Sequence, residues 1–275
     1  MKNNNASKVS SSNYRLIAIT ALLLKLFDHI LLELSQPNLK PSNHQFGFQS
    51  GLSTGLCTWT LTETINYFRN RNSPVFLCLM DRTKAFDLVK LSLLFGKLKD
   101  KVAPIFIRFL IYSYINQECF VSWQGVNSSS FNIANGVRQG AVLSPTLFNI
   151  YIDDLFHELS TSGYGCQIQN LYFGCCGYVD DIALVAPSRE ALQYMINICE
   201  KFFNHHGIKI STDPDIKKTK TTVLVTYVTT WQHLGQTLCS DGSYTHDMME
   251  KRRQLIGKFY SLQQDLGKQD PTVML

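Results

Sequence analysis

The stretch that most restricts what this chain can fold into is Gly177-Tyr178-Val179-Asp180-Asp181-Ile182-Ala183-Leu184-Val185, two adjacent carboxylates set between apolar runs. Apolar runs flanking a short polar tip read as two buried strands joined by a tight turn. Charge beside a core is costly unless it is paired or bound to a metal. Mg²⁺ takes oxygen ligands, commonly a carboxylate or two together with phosphate oxygens. The same string also suits a solvated hairpin turn, where Asp is at home. The rest of the chain has to separate the two readings.

The 275 residues are 45% apolar and 17% charged, the balance of a folded globule and not of a disordered chain. That length allows one large domain or two small ones. A net charge of +5 is compatible with a polyanionic partner but too small to demand one. The eight cysteines include no C-x-x-C and no zinc spacing. They read as small buried hydrophobes of a reducing compartment, with no disulfides expected. The leucine-rich segment Leu16–Leu34 is interrupted by Lys25, Asp28, His29 and Glu33 and has no cleavage site after it. It is therefore neither a signal peptide nor a membrane span, but an amphipathic helix.

Along the chain, residues 1–12 are a polar lead expected to be disordered. Leu22, Leu23, Leu26, Ile30 and Leu34 recur at helical spacing, which predicts a helix with these positions on its inner face, ended by Pro37 and Pro41. Gln45–Thr54 is a loop with two glycines, and Ser53 or Thr54 caps the next helix. Val75–Met80 is an unbroken apolar run suited to a strand buried on both faces, and it ends at Asp81. A helix is expected over 84–99. Asp81 thus stands at a strand end before a helix, a placement that fits a catalytic carboxylate and equally a helix N-cap.

Pro104 opens a helix reaching about Asn116. A hairpin is expected around Gly125-Val126-Asn127, and the loop Asn135–Gly140 follows. Ser144 is expected to cap a helix, begun by Pro145, that carries Leu147, Tyr151, Leu155 and Leu159 on one face. Its Asp153-Asp154 pair points in directions about 100° apart and reads as solvated face. Ser188 caps the helix through Phe202. Short strands are expected at Ile208–Ser211 and Thr222–Tyr227, with the basic cluster Lys217, Lys218 and Lys220 between them. From Tyr244 a basic helix carries Lys251, Arg252, Arg253 and Lys258. Strand, Asp and helix followed by a hairpin bearing Asp-Asp is the order by which a split βαβ sheet brings two strand ends together.

At this point the residues resemble a known family. Phe76-Leu77-Cys78-Leu79-Met80-Asp81-Arg82-Thr83-Lys84-Ala85-Phe86-Asp87 resembles the first catalytic motif of reverse transcriptases from non-LTR (LINE-type, jockey-like) retrotransposons. Gly136-Val137-Arg138-Gln139-Gly140-Ala141-Val142-Leu143-Ser144-Pro145 looks like their second, and Tyr178-Val179-Asp180-Asp181 like their third, a variant of Tyr-Ala-Asp-Asp. The motifs occur in order, and the similarity runs from about Asn13 to near Leu262.

The resemblance implies an α+β right-hand polymerase palm: a split βαβ, ferredoxin-like sheet with helices on one face. Partial fingers would occupy 13–73, the palm 74–240 and the start of a thumb 241–275. It implies RNA-directed DNA polymerisation with an RNA template, a DNA primer and deoxynucleoside triphosphates, and two Mg²⁺ ions, or Mn²⁺ in their place, held by Asp81, Asp180 and Asp181. Phe86 would block a ribose 2′-hydroxyl; its plain alternative is a core phenylalanine. Gln139, Gly140 and Arg15 would meet the incoming nucleotide. Lys220, or Lys218 beside it, would protonate the leaving pyrophosphate or else bind template phosphate. His233 and Gly235 belong to a hairpin that resembles a primer grip. Lys251, Arg252 and Arg253 would follow the duplex backbone or form a solvated basic face.

The sequence departs from the family at Gln49, where arginine usually follows Phe-Gly-Phe, and at Leu16, where proline usually follows Tyr-Arg. With no stretch resembling an endonuclease, these gaps read as a fragment of a retroelement. An endonuclease is expected in the full-length element, and action is expected inside the cell, in nucleus or cytoplasm, without secretion or a membrane. The competing expectation is a truncated, catalytically decayed remnant that at most binds nucleic acid. A two-metal nuclease fits less well, because all three motifs match polymerases.

Overall fold

The computed structural model describes residues 17–35, 37–80, 82–83, 85–210, 222–225 and 230–239. In chain order the first elements are α1 (Leu22–Ser35), α2 (Thr54–Arg69), β1 (Phe76–Met80), β2 (Arg82–Thr83), α3 (Leu91–Leu98) and α4 (Pro104–Ile115). Then come β3 (Glu118–Cys119), β4 (Ser122–Trp123), β5 (Val126–Asn127), β6 (Phe131–Asn132), α5 (Ser144–Thr161), β7 (Gln167–Ile168) and β8 (Leu171–Tyr172). The remainder is β9 (Cys175–Tyr178), β10 (Asp181–Ala186), α6 (Arg189–His206), β11 (Lys209–Ile210), β12 (Thr222–Val225), β13 (Thr230–His233) and β14 (Gln236–Cys239).

The non-alternating apolar runs become the two middle strands of a four-stranded sheet ordered β12-β1-β10-β9, with every neighbouring pair antiparallel. Helices cross over between β1 and β9 and again between β10 and β12, which is the expected split βαβ order. Side chains alternate between two faces. Cys78, Met80, Ile182 and Leu184 pack with Leu147, Tyr151 and Leu155 of α5 and Met195 and Cys199 of α6. Leu77, Leu79, Ala183 and Val185 pack with Cys57, Leu61 and Ile65 of α2. The helices α5 and α6 lie on one face of the sheet, as expected, and α2, from the segment expected to be fingers, covers the other. Each fully buried leucine in these layers contributes about 1.5–3 kcal/mol.

Helix ends follow local chemistry. Ser53 caps α2 by accepting the Leu56 N–H at 3.1 Å, and Ser188 caps α6 by accepting the Ala191 N–H at 3.1 Å. Ser144 does not cap α5; Leu143 occupies that position without a side-chain bond, and Ser144 lies buried in the first turn. The short hairpin turns at Gln124-Gly125, both at positive φ, so Val126 and Asn127 belong to its second strand.

Two further expectations are corrected. The helix expected over 84–99 spans only Leu91–Leu98, and Ala85–Leu88 are turns. The carbonyls of Phe86 and Val89 accept the N–H groups of Val137 and Gly136, at 2.9 and 2.8 Å, and so are not free to build helix. In α1 the leucine stripe faces outward: Leu22, Leu23, Leu26, Ile30 and Leu34 are exposed, while Asp28 and Leu31 are buried. Phe27, packed on Phe106 and Phe109 of α4, sets that rotation. No helix among the described residues is long and apolar enough to cross a membrane. Cys57, Cys78, Cys166, Cys175, Cys176 and Cys199 are buried, and burial pushes the Cys78 and Cys166 thiols up to about 12.

Candidate active site

Tyr178 and Asp181 pair across the β9–β10 hairpin, leaving Val179 and Asp180 as its turn. Asp180 and Asp181 are half-buried. Val179 is buried at φ 59°, a left-handed conformation that a β-branched residue adopts only under constraint. Constraint comes from the loop before α2. Gln45, fully buried, accepts the Val179 N–H at 2.8 Å and the Gly47 N–H at 2.9 Å through one side-chain oxygen. The backbones also exchange bonds: Phe46 N–H to the Gly177 carbonyl, and Gly177 N–H to the His44 carbonyl, both 2.7 Å. Asn149 of α5 donates to the Gly47 carbonyl at 2.7 Å.

Met80, the last residue of β1, is the Cα partner of Ile182, so the end of β1 lies beside the aspartate-bearing tip. Asp81 itself is outside the described residues, as are Arg15, Lys218, Lys220, Lys251, Arg252 and Arg253. Among the described residues no three His, Cys, Asp or Glu side chains gather as a metal site. The adjacent half-buried carboxylates of Asp180 and Asp181 are hard oxygen donors of the type Mg²⁺ takes, with its remaining positions open to a third carboxylate, water and phosphate.

The loop of the second motif is held on several sides. Gly136 has φ +95°, and a Cβ there would lie 2.9 Å from the Asp87 carbonyl oxygen. Only glycine permits both the conformation and the approach. Ala18 donates its N–H to the Gln139 carbonyl at 2.7 Å, and Gly140, at φ +102°, leaves room for Ile17 and Ala18. Arg138 donates through Nε to Gln117 Oε1 at 2.9 Å and through its guanidinium to the Ser113 carbonyl. Its guanidinium also stands 4.2 Å above the Tyr114 ring. Asp28 receives the Leu143 N–H; its burial pushes the carboxyl up, opposed by that bond and by Arg138. Gln139 is half-buried and Gly140 exposed.

Phe86 is half-buried and stacks on Phe148 of α5 with centroids 4.8 Å apart. Its carbonyl bond to Val137 ties it to the same loop. His233 turns inward: it is 7% exposed and its ring interacts with Cys57 of α2. Gly235, at φ +74°, lies exposed in the β13–β14 turn. Gln49 folds back to donate to the Gln45 and Ser42 carbonyls. The Asp153-Asp154 pair diverges, as expected on a helix. Asp154 pairs with Lys97 at 2.9 Å, but Asp153 is more than solvated surface, since it accepts the Ser42 N–H at 2.6 Å. No sequence periodicity marks Gln45 or Asp28 as parts of this site. The one signal available for Asp28 was an acid sitting inside a leucine-rich helix.

The family model described as Reverse transcriptase (RNA-dependent DNA polymerase) matches residues 2–238. The Retrovirus-related Pol polyprotein from type-2 retrotransposable element R2DM of Drosophila melanogaster is 27% identical over 205 residues, 73% of this chain and 19% of that protein. The RNA-directed DNA polymerase from mobile element jockey of Drosophila funebris is 31% identical over 111 residues, 40% of this chain and 12% of that protein. The chain spans between 19% and 29% of the length of the R2 retrotransposon relatives it matches. Among solved structures, telomerase from Candida albicans with a fragment of telomeric RNA superposes with a TM-score of 0.53 at 15% identity, covering 79% of this chain and 36% of that one. At that identity the likeness speaks for the fold alone. With its strand order, its Asp-Asp hairpin and a family match over most of its length, this chain belongs to the reverse transcriptase (RNA-dependent DNA polymerase) family, and the two Drosophila relatives named here are proteins of mobile elements.

Proposed function

We propose that this chain carries the nucleotidyl-transfer centre of a non-LTR retrotransposon, extending a DNA primer on an RNA template from deoxynucleoside triphosphates. The observation that carries the reading is the β1–β10 register, which sets the residue before Asp81 opposite the residue after Asp181. Asp81, Asp180 and Asp181 hold Mg²⁺, with Mn²⁺ able to substitute. Bound there, the ions supply activation of the primer 3′-hydroxyl and neutralisation of charge on the pyrophosphate leaving group.

The chain's own groups do the positioning. Gln139 and Gly140 line the nucleotide position, with Arg15 on the fingers side, and Phe86 packs against the sugar where a 2′-hydroxyl would project. Lys220 delivers a proton to the departing pyrophosphate. The exposed turn at Gly235 meets the primer, and buried His233 supports it from beneath. Lys251, Arg252 and Arg253 track the duplex. In this reading 13–73 act as partial fingers, 74–240 as palm and 241–275 as the start of a thumb. The full-length element adds an endonuclease and works in the nucleus or cytoplasm.

One observation favours a second reading, a remnant that binds nucleic acid without polymerising. Gln49, where the family usually has arginine, spends its amide on its own loop. Primer extension on an RNA template with Mg²⁺ or Mn²⁺, run beside Asp180→Ala, separates the two. Extension that is lost in the variant supports the enzyme. Extension that survives, or none from well-folded parent protein, overturns it.

A further inference from the structure

Val179 is the strained point of the aspartate hairpin, and its constraint comes from outside the sheet. A buried β-branched residue at φ 59° is strained and persists only where surrounding groups over-determine it. The fully buried side chain of Gln45 supplies such a group. Its Oε1 accepts both the Val179 and Gly47 N–H groups, and its Nε2 reaches the Val179 carbonyl at 3.5 Å. One amide thus grips both backbone polar groups of the strained residue. The approach is too close for any side chain at position 47, where a Cβ would lie 2.4 Å from Val179 Cγ2. The grip is reinforced by a parallel bridge between Gln45 and Gly177.

We propose that Gln45 is a positioning residue that holds the Val179-Asp180 turn in its left-handed form and thereby aims the two aspartates. The proposal rests on the polymerase reading for its catalytic consequence, though not for its structural one. Gln45 touches no reacting atom in this scheme; it acts through Val179. Loss of the amide leaves two buried N–H groups without this acceptor and lets the turn relax toward negative φ, which swings Asp180 and Asp181 away from a shared cation.

The distinguishing test uses glycine, which adopts positive φ without strain. Gln45→Met keeps the volume and removes the polar atoms; it is expected to lower kcat for primer extension between about tenfold and a hundredfold, with KM for the triphosphate changed far less. Adding Val179→Gly to Gln45→Met is expected to recover at least about fivefold, although Val179→Gly alone gives no gain. A Gln45→Met enzyme within about twofold of the parent, or a Val179→Gly effect equal in both backgrounds, overturns the proposal. Amide hydrogen exchange separates this from failure of the polymerase reading. In Gln45→Met the Val179 amide is expected to exchange at least about tenfold faster while α5 amides keep their rates, whether or not the parent extends primers. An unchanged Val179 rate overturns the proposal on its own. Gln45→Asn, which keeps the amide but withdraws it by a methylene, carries the same outcomes if Gln45→Met does not fold.

Discussion

Asp28 of α1 receives the backbone N–H of Leu143, at the far end of the loop that carries Gln139 and Gly140. The acid is 3% exposed, so α1 is fastened to that loop from inside the protein while its leucines face out. Arg138 in that loop is fixed by Gln117, the Ser113 carbonyl and the Tyr114 ring. The loop of the second motif is thus set by groups on helical and loop segments, none of which belongs to the sheet.

A pH signature follows from Asp28. Burial raises its carboxyl above the ordinary value, by more than the Leu143 N–H and Arg138 bring it down. A carboxyl with a raised folded-state pKa stabilises the fold fully below its unfolded pKa of about 4, and that contribution fades as pH rises through the folded value. Asp28→Asn imitates the neutral form and keeps an acceptor for Leu143. Its thermal midpoint relative to the parent is expected to climb as pH goes from about 4 to about 7. Asp28→Ala strands the Leu143 N–H and is expected to cost about 1–3 kcal/mol in urea unfolding. A midpoint difference that stays flat with pH would contradict the raised carboxyl.

Gly177 precedes Tyr178, the last residue of β9 before the Asp-Asp turn, and lies under Phe156. A Cβ at 177 would sit 2.3 Å from Phe156 Cζ, and Phe156 is fully buried in α5. Gly177→Ala is therefore an overpacking change, expected to cost about 1–3 kcal/mol. Phe156→Leu leaves room for the added methyl, so the double variant is expected to be more stable than the sum of the single changes predicts. Chemical denaturation of the four proteins measures the coupling. Simple additivity would mean that α5 and β9 are not in the contact described.

Phe86 tests whether a half-buried ring serves the core or the sugar. Its stacking on Phe148 favours packing, while its exposed remainder and its carbonyl bond to Val137 place it beside the loop of the second motif. Phe86→Val is expected to raise ribonucleotide incorporation relative to deoxyribonucleotide by about tenfold or more, at a stability cost of about 1–3 kcal/mol. The ratio of kcat/KM for the two sugars is the measurement. An unchanged ratio with the stability loss would assign Phe86 to the core alone.

The elements legible in the sequence were those whose burial is set by the sheet. Phe76–Met80 and Asp181–Ala186 are apolar without a break because they are the middle strands, covered on both faces. α6 kept its periodicity because it lays one stripe on that sheet, whereas α5 is buried over most of its circumference. The errors fall where a tertiary partner outranks local pattern. Ala85–Leu88 have helical spacing, yet the neighbouring carbonyls serve Gly136 and Val137. The leucines of α1 mark a stripe, yet Phe27 and Asp28 choose the buried side. At the site, Asp180 and Asp181 announce themselves as charges in an apolar run. Gln45 does not, because an amide in a glycine-bearing loop has no period to break.

His206 gives the last prediction, away from the chemistry. It ends α6, 6% exposed, with its ring stacked on Phe202 at 3.8 Å and its Nδ1–H donating to the Phe202 carbonyl at 2.9 Å. Its own carbonyl accepts the Tyr151 hydroxyl at 2.7 Å, which joins α6 to α5. Burial lowers its pKa to about 4; the Phe202 bond works against that, and Lys97 and His205 add to it. The unfolded chain, with an ordinary histidine near 6.5, therefore binds a proton that the folded chain refuses. Stability is full above about pH 6.5 and falls as pH drops toward 4, by up to about 3 kcal/mol from this group. His206→Phe keeps the stacking and removes the titration, although it loses the Nδ1 bond. Denaturant midpoints taken from pH 7 down to pH 4.5 are expected to fall less steeply in His206→Phe than in the parent. Parallel slopes would show that burial does not hold the ring neutral in the folded state.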